Sequence, residues 1–308
     1  MPSRTLHVLT GCTASGKTEW ALRWAEANDA EIISCDSLLF YRGMDIGTAK
    51  PTAAERARVP HHLVDILEVG EPMNVARYAG LARAAAESIA LRGRRILVVG
   101  GSGFYLKSFL APVADAIEVS AEIRAGVAAS LAGGGLKGLV EELAKLNPGG
   151  LGSLDTANPR RVARALERCL ASGRTLSELA ADFARLKPAF GGWEVKVAEL
   201  RRGPEELARR AAARVEGMLQ GGLVGEVRGL LARGLKDNPS ASRAIGYREV
   251  IAMFEGRLAA KDLASEIEKD TRALVKKQLT WFRTQLPAHR VLAAGELEDP
   301  RALFSPEA

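Results

Sequence analysis

Gly11, four intervening residues and then Gly16-Lys17-Thr18 match the spacing G-x-x-x-x-G-K-[ST] of a phosphate-cradling loop. Glycine lets the backbone come close to an anion, and converging N–H groups with a helix's positive end then bind it. Gly11, Cys12, Thr13, Ala14, Ser15, Gly16, Lys17 and Thr18 form the expected cradle. Lys17 adds a point charge on the phosphates, and the Thr18 hydroxyl is the expected ligand of a magnesium ion, Mg2+. Such a loop serves ATP hydrolysis, phosphoryl transfer, or the holding of a diphosphate leaving group. A second carboxylate decides among them. Asp36 stands at the end of Glu31-Ile32-Ile33-Ser34-Cys35 and should face the same crevice, as a magnesium ligand or as a base. The most hydrophobic run, Ile96 to Val99, ends in Gly100-Gly101 where an ATPase usually has aspartate, and Asp65 follows another apolar run. Thr13, Ser15, Tyr41, Ser102 and Tyr105 are expected to gather near the strand ends. His61 and His62 have no metal-ligand spacing and read as structural.

These residues need elements to position them. Val8 and Leu9 close an apolar strand before the loop, and Ala21, Leu22, Trp24 and Ala25 carry helical spacing after it. Further strands are expected at Glu31–Cys35, Pro60–Ile66 and Arg95–Val99, with a helix over about Val75–Leu91 and a loop over Leu38–Pro51. Alternating strands and helices predict an α/β fold: a parallel P-loop NTPase-like sheet flanked by helices, with ligands at the strands' carboxyl ends.

From about Ala114 the strand signals stop. Residues 115–188 read as an all-helical insertion, and Trp193 to Leu200 returns to the sheet, so that 1–114 and 189–308 form the core. The clearest inserted helix starts at Asn158-Pro159 and stops at Gly173. Val162, Ala165, Leu166, Cys169 and Leu170 give it one apolar face; Arg160, Arg161, Arg164 and Arg168 lie opposite, with no acid expected on their stripe. Such a row is a candidate RNA-backbone contact. Further helices are expected from Pro204, around Glu226–Ala232, and from about Asp262 to Leu286.

Composition sets the outer bounds. The 308 residues carry a net charge of +6, with 47% hydrophobic and 26% charged residues, an ordinary globular balance that suits a polyanionic partner. The apolar runs are short and the first residues lack a signal-peptide pattern, so the expectation is a cytoplasmic protein without a membrane partner. Cys12, Cys35 and Cys169 have no metal spacing and read as free thiols; Cys12, inside the loop, is a candidate for oxidation or alkylation.

Taken together, the motifs resemble the tRNA dimethylallyltransferases, which prenylate N6 of adenosine 37 beside the anticodon. The resemblance rests on GCTASGKT at 11–18, DSLLFYRGMDIGTAKP at 36–51, PHHLVD at 60–65, VARYAGLA at 75–82 and VGGSGFYLKS at 99–108. It continues with NPRRVARALE at 158–167, SRAIGYREV at 242–250 and KKQLTWFR at 276–283, all in family order. Cys12 stands where the family usually has proline, Ser102 where threonine is usual, and Leu39 where many members carry glutamine. The zinc finger of some eukaryotic members is absent from the sequence.

The resemblance implies transfer of a dimethylallyl group from dimethylallyl diphosphate to tRNAs reading codons that start with U. It implies Asp36 as general base, and Thr13, Lys17, Thr18 and Arg214 as the diphosphate grip with Mg2+; Arg210 is the second choice of arginine. It further implies tRNA contacts at Asp36, Ser37, Leu38, Leu39, Ser102, Arg124, Arg160, Arg161, Val162, Ala163 and Arg164, and a monomer. A small-molecule kinase or NTPase is the competing reading from the loop alone. Prenylation of free adenine nucleotides is a third, and a nucleotide-binding protein without catalysis a fourth. The arginine-rich insertion and the basic 276–283 segment favour tRNA over a mononucleotide.

Overall fold

The computed structural model describes residues 4–115 and 117–304. The chain divides into two compact units, residues 1–111 with 188–308, and residues 112–187. In the first, six parallel strands form one sheet: β1 (Thr5–Thr10), β2 (Ala30–Ser34), β3 (His61–His62), β4 (Arg95–Val99), β5 (Glu194–Arg201) and β6 (Arg290–Ala293), in the order β3-β2-β4-β1-β5-β6. The period-two alternation of the central strands feeds two cores, because helices cover both faces of a parallel sheet. Leu6, Val8, Ile33, Ile96 and Val98 enter one core; Leu9, Ile32, Leu97, Ala198 and Leu200 enter the other.

The second of these cores is closed by α1 (Lys17–Ala27), through Trp20, Ala21, Leu22, Trp24 and Ala25, together with Leu303. Between β2 and β4 run α2 (Ala53–Arg58) and α3 (Val75–Leu91), and α4 (Gly103–Lys107) follows β4. Asn74 caps α3 by accepting from Arg77 N at 2.8 Å, and Tyr78, Ala82, Ala86 and Ile89 bury its inner face. This face, with the aromatic rings of Phe40, Tyr41, Phe109, Phe190 and Trp193, makes the larger core.

The second unit is helical: α5 (Ala121–Lys145), α6 (Pro159–Ser172) and α7 (Leu176–Arg185). Its core joins Val127, Leu139 and Leu143 to Val162, Ala165, Leu166, Cys169 and Leu179. Asn147 ties the three helices: its Nδ2 donates to Leu143 O (2.8 Å) and to Cys169 Sγ (3.7 Å), and its Oδ1 accepts from Leu176 N (2.6 Å). α6 begins and ends where the sequence signals put it, with Asn158 Oδ1 accepting from Arg160 N and Arg161 N and Gly173 in the left-handed conformation. Leu170 departs from the expected apolar face and is 46% exposed. The core is filled by the turns around Val162 and Cys169, and Leu170 stays outside it.

After β5 the first unit resumes with α8 (Pro204–Gln220), α9 (Leu223–Leu231), α10 (Pro239–Ser242), α11 (Tyr247–Phe254) and α12 (Leu263–Gln285). No helix among the described residues is long and apolar enough to cross a membrane. The strand expected over Pro60–Ile66 is only two residues long. Leu63 and Asp65 take positive φ (61° and 55°), which ends extended pairing, and Asp65 is drawn onto Lys50 and Arg56. β6 was not legible in the sequence: four residues R-V-L-A carry no pattern, and the strand exists through its register with β5, Ala198↔Arg290 to Arg201↔Ala293.

His7 on β1 packs against Trp24 (4.7 Å between ring centroids) and Phe304 (4.9 Å). Burial lowers its pKa from the ordinary 6.5 to about 4. The folded protein therefore binds the His7 proton more weakly than the unfolded chain does. Its contribution to stability is complete above pH 6.5 and is lost progressively as pH falls from 6.5 towards 4. Urea midpoints at pH 7 and pH 4.5 should differ more for the parent than for His7→Leu; an equal pH dependence would show that His7 titrates normally.

Candidate active site

The loop between β1 and α1 is built by backbone geometry. Gly11 has φ 153°, and a Cβ there would lie 2.6 Å from Leu200 O. Gly16 caps α1 in the left-handed conformation without a side-chain cap, leaving the helix's first N–H groups for an anion. Three cationic side chains hold the loop's carbonyls. Lys17 Nζ donates to Cys12 O (2.8 Å), Arg210 Nε to Ala14 O (2.8 Å) and Arg202 Nε to Ser15 O (2.8 Å).

This loop forms one wall of a cavity of about 620 Å3, the size of a small-molecule site. The cavity brings Thr13, Ala14, Gly16, Lys17 and Thr18 together with Asp36, Leu39, Arg210 and Arg214. Asp36 sits just past β2, and its Oδ1 accepts from Leu38 N at 2.9 Å, an Asx turn that fixes the carboxylate at the rim. Arg214 on α8 donates from Nη2 to Thr48 O at 2.9 Å. Neither Lys17 nor Arg214 has a carboxylate ion pair among the described residues. Burial lowers the Lys17 pKa to about 8 and also lowers that of Arg214, while the Asp36 charge opposes both shifts. Two partly desolvated cations thus face one space with one carboxylate beside them. That arrangement suits an anion, with a carboxylate at its edge.

Sequence reasoning missed three contributors. Arg202 holds Ser15 O and pairs with Glu206, yet nothing in its sequence neighbourhood marks it. Gln278 reaches from α12 to accept from Thr13 N (2.9 Å) and donate to Gly101 O (2.9 Å), bridging the loop to the end of β4. Ser34 lines the cavity, is 3% exposed, and its Oγ has no hydrogen-bond partner among the described residues. With Thr18 and Asp36 on the same walls, these are hard oxygen donors suited to Mg2+. No cluster of three or more His, Cys, Asp or Glu among the described residues could hold a metal, so phosphate or water oxygens would complete the shell.

Several expected residues lie elsewhere. Tyr41 is fully buried and Tyr105 packs on Tyr78 (4.7 Å) in the aromatic core, because both rings are drawn to the apolar face instead of the cavity. Ser15 is also fully buried and serves through its backbone. Ser102 is close by: its Oγ accepts from Ser37 N at 3.1 Å. Asp65 is held by Lys50 and Arg56 away from the cavity. His61 lines the cavity, its Nδ1 2.7 Å from Val59 O, whereas His62 Nε2 lies 2.6 Å from Glu31 Oε2. Cys12 is fully buried and burial pushes its thiol up, which removes the reactivity expected of it.

The second unit carries the basic helix. Arg160, Arg161, Arg164 and Arg168 line one groove with Leu154, Asn158 and Leu176. The stripe is not free of acids: Arg161 pairs with Asp155 (3.3 Å), Arg164 with Glu167 (3.2 Å), and Arg168 with Asp115. Asp155 comes from the loop before the helix, Glu167 from the helix itself at i,i+3, and Asp115 from the segment before α5, 53 residues from Arg168. Val162 is 0% exposed and its side chain cannot touch RNA, since it anchors the unit's core. Ala163 is half-buried, and Arg124 is exposed on the first turns of α5.

The sequence profile of the IPP transferase family matches residues 39–285. A tRNA dimethylallyltransferase of Opitutus terrae is 67% identical over 299 residues, 97% of this chain and 96% of its own length. Another, from Trichlorobacter lovleyi, is 39% identical over 94% of this chain and 93% of its own. Among solved structures, the tRNA isopentenylpyrophosphate transferase of Bacillus halodurans aligns with TM-score 0.70 at 30% identity, covering 98% of this chain and 93% of the other. A eukaryotic dimethylallyltransferase acting on tRNA aligns with TM-score 0.81 at 25% identity, covering 95% and 74%.

Lys17 tests the anion site directly. Replacement by Met should weaken binding of inorganic diphosphate by about 1.5–3 kcal/mol, the worth of a charge-assisted contact. With a pKa near 8, Lys17 loses its charge as pH rises through 8, so diphosphate affinity should fall more between pH 7 and 9 in the parent than in Lys17→Met. Calorimetric titration reads both; parallel pH profiles would remove Lys17 from the site.

Proposed function

The chain belongs to the IPP transferase family of prenyl-transferring enzymes, and on that premise we propose that it moves a dimethylallyl group from dimethylallyl diphosphate to N6 of adenosine 37 in tRNA. The observation that carries this reading is the meeting of the phosphate loop, Arg214 and Asp36 in one cavity. The allylic carbon of the donor ionises readily because its positive charge is delocalised. The protein's main task is therefore to stabilise the departing diphosphate. Lys17, Arg214 and the N–H groups at the start of α1 do this electrostatically, in a site where partial desolvation strengthens each contact. Mg2+, held by Thr18 and by phosphate oxygens, would supply further neutralisation of the leaving group.

Asp36 completes the reaction. As the adenine N6 lone pair forms its bond to the allylic carbon, the carbon–oxygen bond to diphosphate breaks and an N6 proton passes to the Asp36 carboxylate. The products are the N6-dimethylallyl adenosine, diphosphate and a protonated Asp36 that returns its proton to water. The adenine must leave its stack to reach the cavity, and Leu39, an apolar residue on the wall, offers it a contact surface without a hydrogen bond. The exposed arginines of α6 hold RNA phosphates; the Arg161–Asp155 pair is exposed and of little strength, and the half-exposed Arg164 shares its charge with the more sheltered Glu167.

Mass spectrometry of unmodified tRNA incubated with the enzyme, magnesium and labelled donor should show one adenosine heavier by one C5H8 unit. Asp36→Asn should slow single-turnover transfer by about 10²–10⁴-fold while donor and tRNA binding change far less. A loss restored by raising magnesium would make Asp36 a metal ligand instead of a base, and a rate within about threefold of the parent would exclude it from the chemistry.

Replacing Arg160, Arg161 and Arg164 together by Ala should weaken tRNA binding without touching diphosphate binding. The slope of log affinity against log salt should drop by about 0.7–0.9 for each lost phosphate contact. An unchanged slope would reduce the arginines to a solvated face.

A further inference from the structure

We propose that Glu226, far from the phosphate loop in sequence and absent from the cavity wall, is a positioning residue that sets Arg214 through the segment 45–48. The two Glu226 carboxylate oxygens accept four hydrogen bonds. Oε2 accepts from Asp45 N (3.0 Å) and Ile46 N (2.7 Å); Oε1 accepts from Gly47 N (3.2 Å) and from the Tyr247 hydroxyl (2.6 Å). Three consecutive backbone N–H groups on one carboxylate fix the path of a segment that has no regular secondary structure. The ring of Tyr247 closes the arrangement from the other side, since a Cβ on Gly47 would lie 2.5 Å from it.

The next residue makes the link. Thr48 is held by its own Oγ1, which donates to Met44 O (2.6 Å), and its carbonyl accepts from Arg214 Nη2 (2.9 Å). Among the described residues that is the guanidinium's one hydrogen bond, and no carboxylate pairs with it. Its direction therefore depends on where the Thr48 carbonyl stands. Thr48 and Ala49 themselves line the cavity beside Arg214 and Lys17. At the far end of the segment, the buried Lys50 Nζ donates to Tyr41 O (2.7 Å) and pairs with Asp45 (2.7 Å) and Asp65 (2.5 Å). The segment is clamped at both ends, and Glu226 is the clamp nearest the carbonyl that aims Arg214.

This assignment rests on the reading of Arg214 as a diphosphate ligand, so its test uses inorganic diphosphate and needs no prenyl transfer. In the full-length protein, Glu226→Gln keeps the side chain's size but leaves one acceptor oxygen where there were two. Diphosphate affinity should fall about tenfold when Arg214 is present and less than about twofold in an Arg214→Ala background, because coupled neighbours are not additive. The same loss in both backgrounds, or none in either, would overturn the proposal. Tyr247→Phe, which removes only the hydroxyl and keeps the ring against Gly47, is the second variant should Glu226→Gln fail to fold. Its smaller loss should vanish likewise with Arg214→Ala, and persistence of that loss counts against the proposal. Failure of the parent to prenylate tRNA would overturn the proposed function and leave this cycle readable.

Discussion

A phosphate cradle asks its backbone to do something costly: N–H groups must face one space while the carbonyls of the same residues stay satisfied without helix or sheet. In this protein that constraint is met by long cationic side chains. Lys17, Arg210 and Arg202 each donate to a different carbonyl between Cys12 and Ser15, and the Gln278 amide takes up Thr13 N. The cations thus serve twice. They close the loop's backbone hydrogen bonds and bring positive charge to the cavity, Arg210 from α8, while the neutral Gln278 amide makes the α12 contact.

Desolvation is the second thread. Burial lowers the pKa of Lys17 and of Arg214, a sign that their charged forms lack the partners that water would supply. The proposed diphosphate would provide those partners, so that binding it would relieve the desolvation of these cations. Asp36 is close enough to support both charges and is tied to Leu38 N by one oxygen. It can assist the cations without neutralising them, since it forms no ion pair with either among the described residues.

The aromatic core explains why the rim holds its shape. Phe40 and Tyr41 follow the Asp36 turn directly and bury their rings with Tyr78 and Tyr105, whose centroids lie 4.7–6.3 Å apart from their neighbours. Tyr78 also donates to Ser34 O (3.1 Å), at the end of the strand that carries Asp36. The residues after Asp36 are thereby anchored in an apolar block, and those after Met44 by Glu226 and Lys50. A long irregular segment becomes rigid because both of its halves are held by groups distant in the chain.

Much of this was legible in the amino-acid order, wherever one local pattern specifies one local structure. The loop at 11–18, the helix over Val75–Leu91, the strand Arg95–Val99 and the capped helix after Asn158 all follow from spacing, caps and glycines, and the parallel α/β class follows from their alternation. Asp36 comes beside the loop because the parallel strands β2 and β1 end on the same edge of one sheet, with β4 between them. The tertiary structure decided what depends on groups far apart in sequence. Strand β6 exists only through its pairing with β5, and β3 stops early because Asp65 is claimed by Lys50 and Arg56. The roles of Arg202, Gln278 and Glu226 could not be read from the chain, even with Gln278 inside the 276–283 block, since they are set by which backbone atoms these residues meet 187, 265 and about 180 residues away. Tyr41, Val162 and Cys12 looked available in the chain and are buried in the fold, because burial is a property of what packs over a residue and not of the residue itself.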